Sequence, residues 1–263
     1  MRFKDKIVWI TGASSGIGEA TAFAFIEQGA TVIASSSSAE KLEISKAKAP
    51  KPEQFNTVPL DLGQADTIES IVKQTLEQFG RVDILINNAG ISQRSLVLDT
   101  PITNDRKVME IDYFGTIILT KAILPQMIRQ GGGHILCTSS IVGVFGFPLR
   151  SAYSAAKHAL HGFFESLRLE YYKQNIKVGI IIGGRINTAI SMNAITSDGS
   201  AYGKLDDGQK NGINSEKAAR QILRGIRKNK REIRVGGKEL LMVTLKRRFP
   251  RLHFFMAKRV KAT

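Results

Sequence analysis

Short apolar runs alternate with longer amphipathic stretches almost from end to end of this chain, and that alternation leaves few folds open. Residues 6–11, 31–34, 57–60, 83–87, 134–139 and 176–182 read as strands, with helices over 16–28, 39–47, 64–79, 103–129 and 152–174. Strand–helix units of this length pair their strands in parallel and cover both faces of the sheet with helices. The expected architecture is a Rossmann-type doubly wound α/β sheet in a single domain, with ligands at the carboxyl ends of the strands. A helix over 215–228 and a strand over Glu232–Val235 resume the pattern after 187–214. That polar, weakly periodic stretch reads as a mobile substrate loop over the site. The expected catalytic body is therefore 1–238, followed by a basic tail, 239–263.

A length of 263 residues suits one large domain, and a hydrophobic fraction of 43% supplies its core. The one cysteine, Cys137, excludes a disulfide framework and reads as a buried, inert thiol. His134, His158, His161 and His253 show no metal-ligand spacing, so no metal site is expected. No signal peptide is read at the start, and no apolar run approaches the roughly 18 residues of a membrane span, which points to a cytoplasmic protein. Charge is unevenly placed. Residues 217–263 hold 16 Lys and Arg against Glu232 and Glu239, a net of +14 out of +15 for the whole chain. Such a localised basic surface mixed with Phe249, Phe254, Phe255 and Met256 suits peripheral contact with an anionic membrane. No nucleic-acid-reading motif accompanies it.

The junction of the first strand and first helix reads Thr11-Gly12-Ala13-Ser14-Ser15-Gly16-Ile17-Gly18. Gly12 permits a tight turn, Gly16 lets the backbone approach a pyrophosphate, and Gly18 allows close helix–strand packing. The helix start adds free N–H groups and the positive end of its dipole, so a nucleotide site is expected here. Asn87-Asn88-Ala89-Gly90 closes the fourth strand, facing the same cleft. Further along, Ser140 precedes Tyr153 by thirteen residues, and Tyr153 and Lys157 sit four apart on one helical face. A lysine so placed draws down the pKa of a phenol that must give and take a proton.

Taken in order, Thr-Gly-x-x-x-Gly-x-Gly, Asp61, Asn-Asn-Ala-Gly, Ser140 and Tyr153-x-x-x-Lys157 resemble the short-chain dehydrogenase/reductase superfamily over about residues 5–235. Ile91-Ser92-Gln93-Arg94 and Arg150-Ser151-Ala152-Tyr153 are most similar to its dehydrogenase/reductase members acting on steroid- or lipid-like carbonyls. The resemblance implies that Gly12, Ser14, Ser15, Gly16, Ile17 and Gly18 hold the cofactor phosphates, that Asp61 and Leu62 meet the adenine, and that Asn88, Ala89 and Gly90 line the adenosine half. It also implies that Ile186 and Thr188 meet the carboxamide end. Tyr153 would protonate a carbonyl oxygen while hydride leaves the nicotinamide, Ser140 would bind that oxygen, and Lys157 would hold the ribose and lower the Tyr153 pKa. The family's oligomer-forming helices correspond to 103–129 and 152–174, so a homodimer or homotetramer is expected.

Two positions depart from the family pattern. Asp112 of Asp112-Tyr113-Phe114-Gly115 stands where an Asn holds a helix distortion, and its charge acts on Lys157. Gly183-Gly184 replaces Pro-Gly, which loosens the turn after the sixth strand. The second strand ends in Ser35-Ser36-Ser37-Ser38 with no acidic residue for a ribose 2′-hydroxyl. Hydroxyls at Ser36 and Ser37 accept a 2′-phosphate better than they select against one, so NADP(H) is favoured over NAD(H). The expected function is an NADP(H)-dependent carbonyl reductase or alcohol dehydrogenase. The rivals are a nucleotide-sensing binding protein of the same fold with little turnover and a peripheral membrane module.

Overall fold

The computed structural model describes residues 3–259, so the last four residues of the basic tail lie outside the described residues, as do the first two of the chain. β1 (Ile7–Thr11) turns into α1 (Gly16–Glu27), and β2 (Thr31–Ser35) into α2 (Ala39–Lys48). β3 (Phe55–Thr57) precedes α3 (Ala65–Phe79). β4 (Ile84–Asn87) precedes α4 (Ile102–Met109), which continues through a π-helical segment, Glu110–Gly115, into α5 (Thr116–Arg129). β5 (Gly133–Ser140), α6 (Ser151–Glu170) and β6 (Ile176–Gly183) follow. α7 (Asp207–Lys210), α8 (Ser215–Arg227) and β7 (Glu232–Val235) close the body, and α9 (Leu241–Arg248) and α10 (Pro250–Ala257) lie beyond it.

All seven strands run parallel in the order β3-β2-β1-β4-β5-β6-β7. The direction of winding reverses between β1 and β4, which opens the crevice where ligands of such sheets bind. Central strands are apolar on both sides because both faces are covered: Val8, Trp9 and Ile10 of β1 have no exposed surface. One core packs Phe25, Ile26 and Ile222 against the sheet, and the other packs Trp9, Leu119 and Phe164. The Trp9 indole donates to Ser35 Oγ at 2.9 Å, satisfying a buried polar atom inside that core.

Four regions differ from the sequence reading. β3 starts earlier than 57, because buried Phe55 pairs with Val32, and it stops short of Pro59, which cannot donate to a ladder. The helix over 103–129 is not uniform: its Glu110–Gly115 turn is π-helical, and Gly115 lets it close on the Leu62 backbone. Segment 187–214 is held down rather than loose, since Ser191 and Asp206 are buried and bonded to each other through the Asp206 N–H at 3.2 Å. The glycine turn after β6 is also clamped rather than loosened. Glu239 accepts from the backbone N–H groups of Arg185 at 2.7 Å and Gly237 at 2.9 Å, and a Cβ on Gly184 would collide with its carboxylate. Residues 239–257 thus pack onto the body, with Val243 fully buried and the His253 ring 4.6 Å from that of Phe145. Among the described residues no helix is long and apolar enough to cross a membrane.

Candidate active site

A cavity of about 750 Å³ runs over the carboxyl ends of β1, β4, β5 and β6. Its floor at one end is the loop after β1. A Cβ on Gly12, which has φ 66°, would lie 2.9 Å from Ala89 Cα, so only glycine lets this turn touch the end of β4. Gly18 stands behind the loop, against the Gly12 carbonyl, and does not face the cavity. Thr11 Oγ1 accepts from the N–H groups of Asn88 at 2.9 Å and Ala89 at 3.0 Å, and Asn88 Nδ2 donates to the Thr11 carbonyl at 3.1 Å. These bonds lock β1 to β4 at the switch point. Ser14, Ser15, Gly16, Ile17, Asp61, Leu62, Ala89 and Gly90 line the cavity with Ile186 and Thr188. A Cβ on Gly16 would reach within 3.2 Å of the Thr188 methyl, so residues far apart in sequence close one cradle.

The serines after β2 are not equivalent. Ser35 Oγ is taken by Trp9, Ser36 Oγ bonds both the N–H and the carbonyl of Ser38, and Ser38 Oγ caps α2 by accepting from Lys41 N–H at 3.3 Å. Four equivalent hydroxyls are therefore not on offer, because local turn bonds and a core bond engage three of them. Ser36, Ser37 and Lys41 face the cavity together. Lys41 was not legible as a site residue. Its only signal is its place one turn into α2, after a Ser cap that a strand-end reading treats as loop.

At the other end Ser140, Tyr153 and Lys157 share a wall. Ser140 ends β5, its side chain accepts from the Val142 N–H at 3.4 Å, and its hydroxyl acts to lower the Tyr153 phenol pKa. α6 carries Tyr153 and Lys157 on one face, with the ammonium 5.5 Å from the phenol ring centroid. Behind Gly90, Asp112 Oδ2 pairs with Lys157 Nζ at 3.1 Å and Oδ1 accepts from the Ile91 N–H at 2.7 Å. Both side chains are buried, 0% exposed for Asp112 and 4% for Lys157. A Cβ on Gly90 would sit 3.0 Å from both groups, so that glycine lets the pair lie against the β4 turn. Burial pushes the Tyr153 phenol up, Lys157 pulls it back, and Asp112 pushes it up again; the net direction is upward. For Lys157, burial acts downward, but Asp112 and Tyr153 outweigh it and hold the ammonium above its ordinary value. Cys137, fully buried on β5, is pushed up to about 12 by burial and plays no part in the wall.

Ser92 and Arg94 line the cavity and Gln93 does not, and the Gln93 and Arg94 side chains are engaged in long-range polar contacts. Gln93 accepts from the Ala152 N–H at 2.8 Å, and Arg94 donates to Asp206 at 2.6 Å. Arg150 reaches the same carboxylate at 2.7 Å. Phe145, Phe147 and Val142 form an apolar wall beside Tyr153.

Residues 6–198 match the family described as short chain dehydrogenase. The chain is a short-chain dehydrogenase/reductase. A Drosophila melanogaster dehydrogenase/reductase SDR family protein 7-like is 42% identical over 261 residues, covering 97% of this chain and 80% of that protein. A short-chain dehydrogenase from Streptomyces avermitilis superposes with a TM-score of 0.84 at 29% identity, covering 98% of each chain. Levodione reductase superposes with a TM-score of 0.77 at 27% identity over 89% of this chain and 96% of that one. As a short-chain dehydrogenase/reductase the protein is an NAD(P)-dependent oxidoreductase. The cradle fits such a cofactor: one end has a glycine turn closed to any side chain, and a phenol, a hydroxyl and an ammonium meet at the other. Among the described residues no cluster of His, Cys, Asp or Glu is arranged to hold a metal.

Proposed function

We propose that this short-chain dehydrogenase/reductase is an NADP(H)-dependent carbonyl reductase or alcohol dehydrogenase acting on a small or lipophilic ketone–alcohol pair. The observation that carries the reading is the meeting of Ser140, Tyr153 and Lys157 on one wall of the cavity that the glycine loop floors. A nicotinamide bound there supplies or accepts the hydride. Tyr153 gives its phenolic proton to the carbonyl oxygen in reduction and takes it back from the alcohol in oxidation. Ser140 donates to that oxygen and orients it, in a pocket that Phe145 and Phe147 keep dry. Lys157 keeps a positive charge beside the phenol and is positioned by Asp112. Exchanging Asp112 for an Asn would keep an oxygen for Ile91 but turn an amide donor toward the ammonium, so this chain ties its lysine more tightly than the family pattern does.

NADP(H) is favoured because Lys41 supplies a cation beside Ser36 and Ser37, where a 2′-phosphate needs one, and the carboxylate that lines the same end, Asp61, follows β3 and not β2, where a ribose-binding acid would stand. A homodimer or homotetramer through α4–α5 and α6 is part of the reading, and exposed Phe114 and Leu169 on those helices support it. A second reading, a nucleotide sensor with little turnover, draws on the Asp112 charge that raises Tyr153.

Titration with NADPH and NADH, followed through energy transfer from Trp9, tests the cofactor. NADPH should bind at least about tenfold more tightly, and Lys41→Ala should remove most of that margin while leaving NADH alone. With a lipophilic ketone and NADPH, Tyr153→Phe should bind cofactor normally and turn over at least about 100-fold more slowly. Tight binding with no turnover of any ketone by the unaltered protein would favour the sensor.

A further inference from the structure

We propose that the α9–α10 hairpin docks on an anionic lipid bilayer and seats the rim of the catalytic cavity against it. Residues 246–259 contain six Lys and Arg and no acidic residue. Within the same stretch α10 turns Leu252, Phe254, Phe255 and Met256 to solvent, the two phenylalanines 70% and 46% exposed, and Phe249 just before it is 61% exposed. An amphipathic helix of a water-soluble surface does the reverse, hiding its apolar face on the body. Here the only side chain that α10 buries is His253. Cations flank the apolar group: Lys258 and Arg259 lie over the Phe255 ring at 5.3 and 4.0 Å from its centroid, and Arg248 and Arg251 are exposed on the other side of the turn. Neither a handful of apolar side chains nor a few cations anchors a protein firmly, but the two together do so at an anionic interface.

The inner side of the same hairpin fixes where docking would act. Val243 is fully buried, His253 packs on Phe145, and Met242 and Ala257 line the catalytic cavity. A bilayer under α10 therefore lies next to the apolar wall formed by Phe145 and Phe147. A second copy of the chain fits this face less well. A twofold contact sets a patch against itself, which would oppose cations to cations, since among the described residues only Arg247 of the six is offset, by Glu232 at 2.7 Å. Lipid phosphate and carboxylate headgroups complement that charge. Entry of a lipophilic substrate from the bilayer rests on the carbonyl-reductase reading, whereas the docking does not and is measured without turnover.

The test is co-sedimentation of the full chain with phosphatidylcholine vesicles, with and without phosphatidylserine. Two triple variants accompany it. Phe249→Ser with Phe254→Ser and Phe255→Ser keeps every charge, and Arg248→Gln with Arg251→Gln and Lys258→Gln keeps every apolar side chain. The unaltered protein should pellet with the serine-lipid vesicles and not with phosphatidylcholine alone, and added salt should release it. Each variant should lose at least about tenfold in partitioning while still binding NADPH. Protein that stays in the supernatant with serine-lipid vesicles overturns the proposal, as do variants that partition like the parent. A Phe variant that changes oligomeric state but not lipid binding assigns the face to a second copy.

Discussion

At the cofactor end of the cavity the backbone sets the geometry, and at the substrate end long-range polar side chains do. Gly12 and Ala89 approach so closely that no side chain fits between them, and Thr11 bonds two successive N–H groups of the neighbouring strand. Every one of those contacts lies within a strand–turn–helix unit or between adjacent strands. The substrate end instead depends on Asp206, which gathers Arg94 from 112 residues away and Arg150 from 56. Gln93 reaches the start of α6 across 59 residues. Glycine geometry tolerates almost no variation, while a buried carboxylate shared by two guanidiniums can be lost as a unit. The difference teaches that one end of the site is rigid by steric exclusion and the other by charge pairing.

Three substitutions sharpen that contrast. Asp206→Asn should have the largest effect. It leaves two guanidiniums facing a neutral amide, the Arg94 side chain only 2% exposed, and such losses cost about 3–5 kcal/mol. Denaturant unfolding should show the drop, and the KM for a carbonyl substrate should rise while NADPH affinity stays within about threefold. A collapse of both affinities together would mean that the two ends are not separable. Gly18→Ala comes next. Its Cβ would press on the Gly12 carbonyl and on Asn88, and overpacking of this kind costs about 1–3 kcal/mol. The loss should appear mainly in cofactor affinity, about tenfold or more, with the KM for ketone little changed.

Asp112→Asn tests the seam between the two ends and should have the smallest effect on rate at neutral pH. Asp112 raises the Tyr153 phenol, so removing its charge lowers that pKa. Reduction needs the phenol protonated and should fail at a lower pH than in the parent. Alcohol oxidation needs it deprotonated and should begin at a lower pH. A pH–rate profile that does not move, with stability alone changed, would reduce Asp112 to a packing role.

That the glycine loop, the end of β4 and the Tyr153–Lys157 pair meet at one cavity was legible because their signals are local. Gly12, Gly16 and Gly18 at fixed spacing, Asn88 and Gly90 at the end of a strand, and Tyr153 four before Lys157 each report a backbone or helical geometry that a few neighbouring residues determine. Of the candidate cofactor and catalytic residues, all but Gly18 and Asp112 line the cavity, and those two stand directly behind it. What escaped was long-range. Nothing near Arg94 says that its partner is Asp206, 112 residues further along. The serine run gave four hydroxyls by composition, and only the fold reveals that Trp9, a local turn and the α2 cap engage three of them. Glu239 looked like a lone acid in a basic tail, yet it clamps the turn after β6.

Cys137 turns this molecule into its own unfolding clock. It is the sole thiol of the chain, it sits on β5 in the middle of the sheet, and burial holds it up at about 12. A thiol reagent can modify it only when the helices that cover this face of the sheet, α5 and α6, lift from it, so the labelling rate reads the frequency of that opening with no engineered probe. Cofactor or vesicle bound to the native state should slow the clock by the factor that its binding free energy dictates, and each ligand can thus be ranked on one scale.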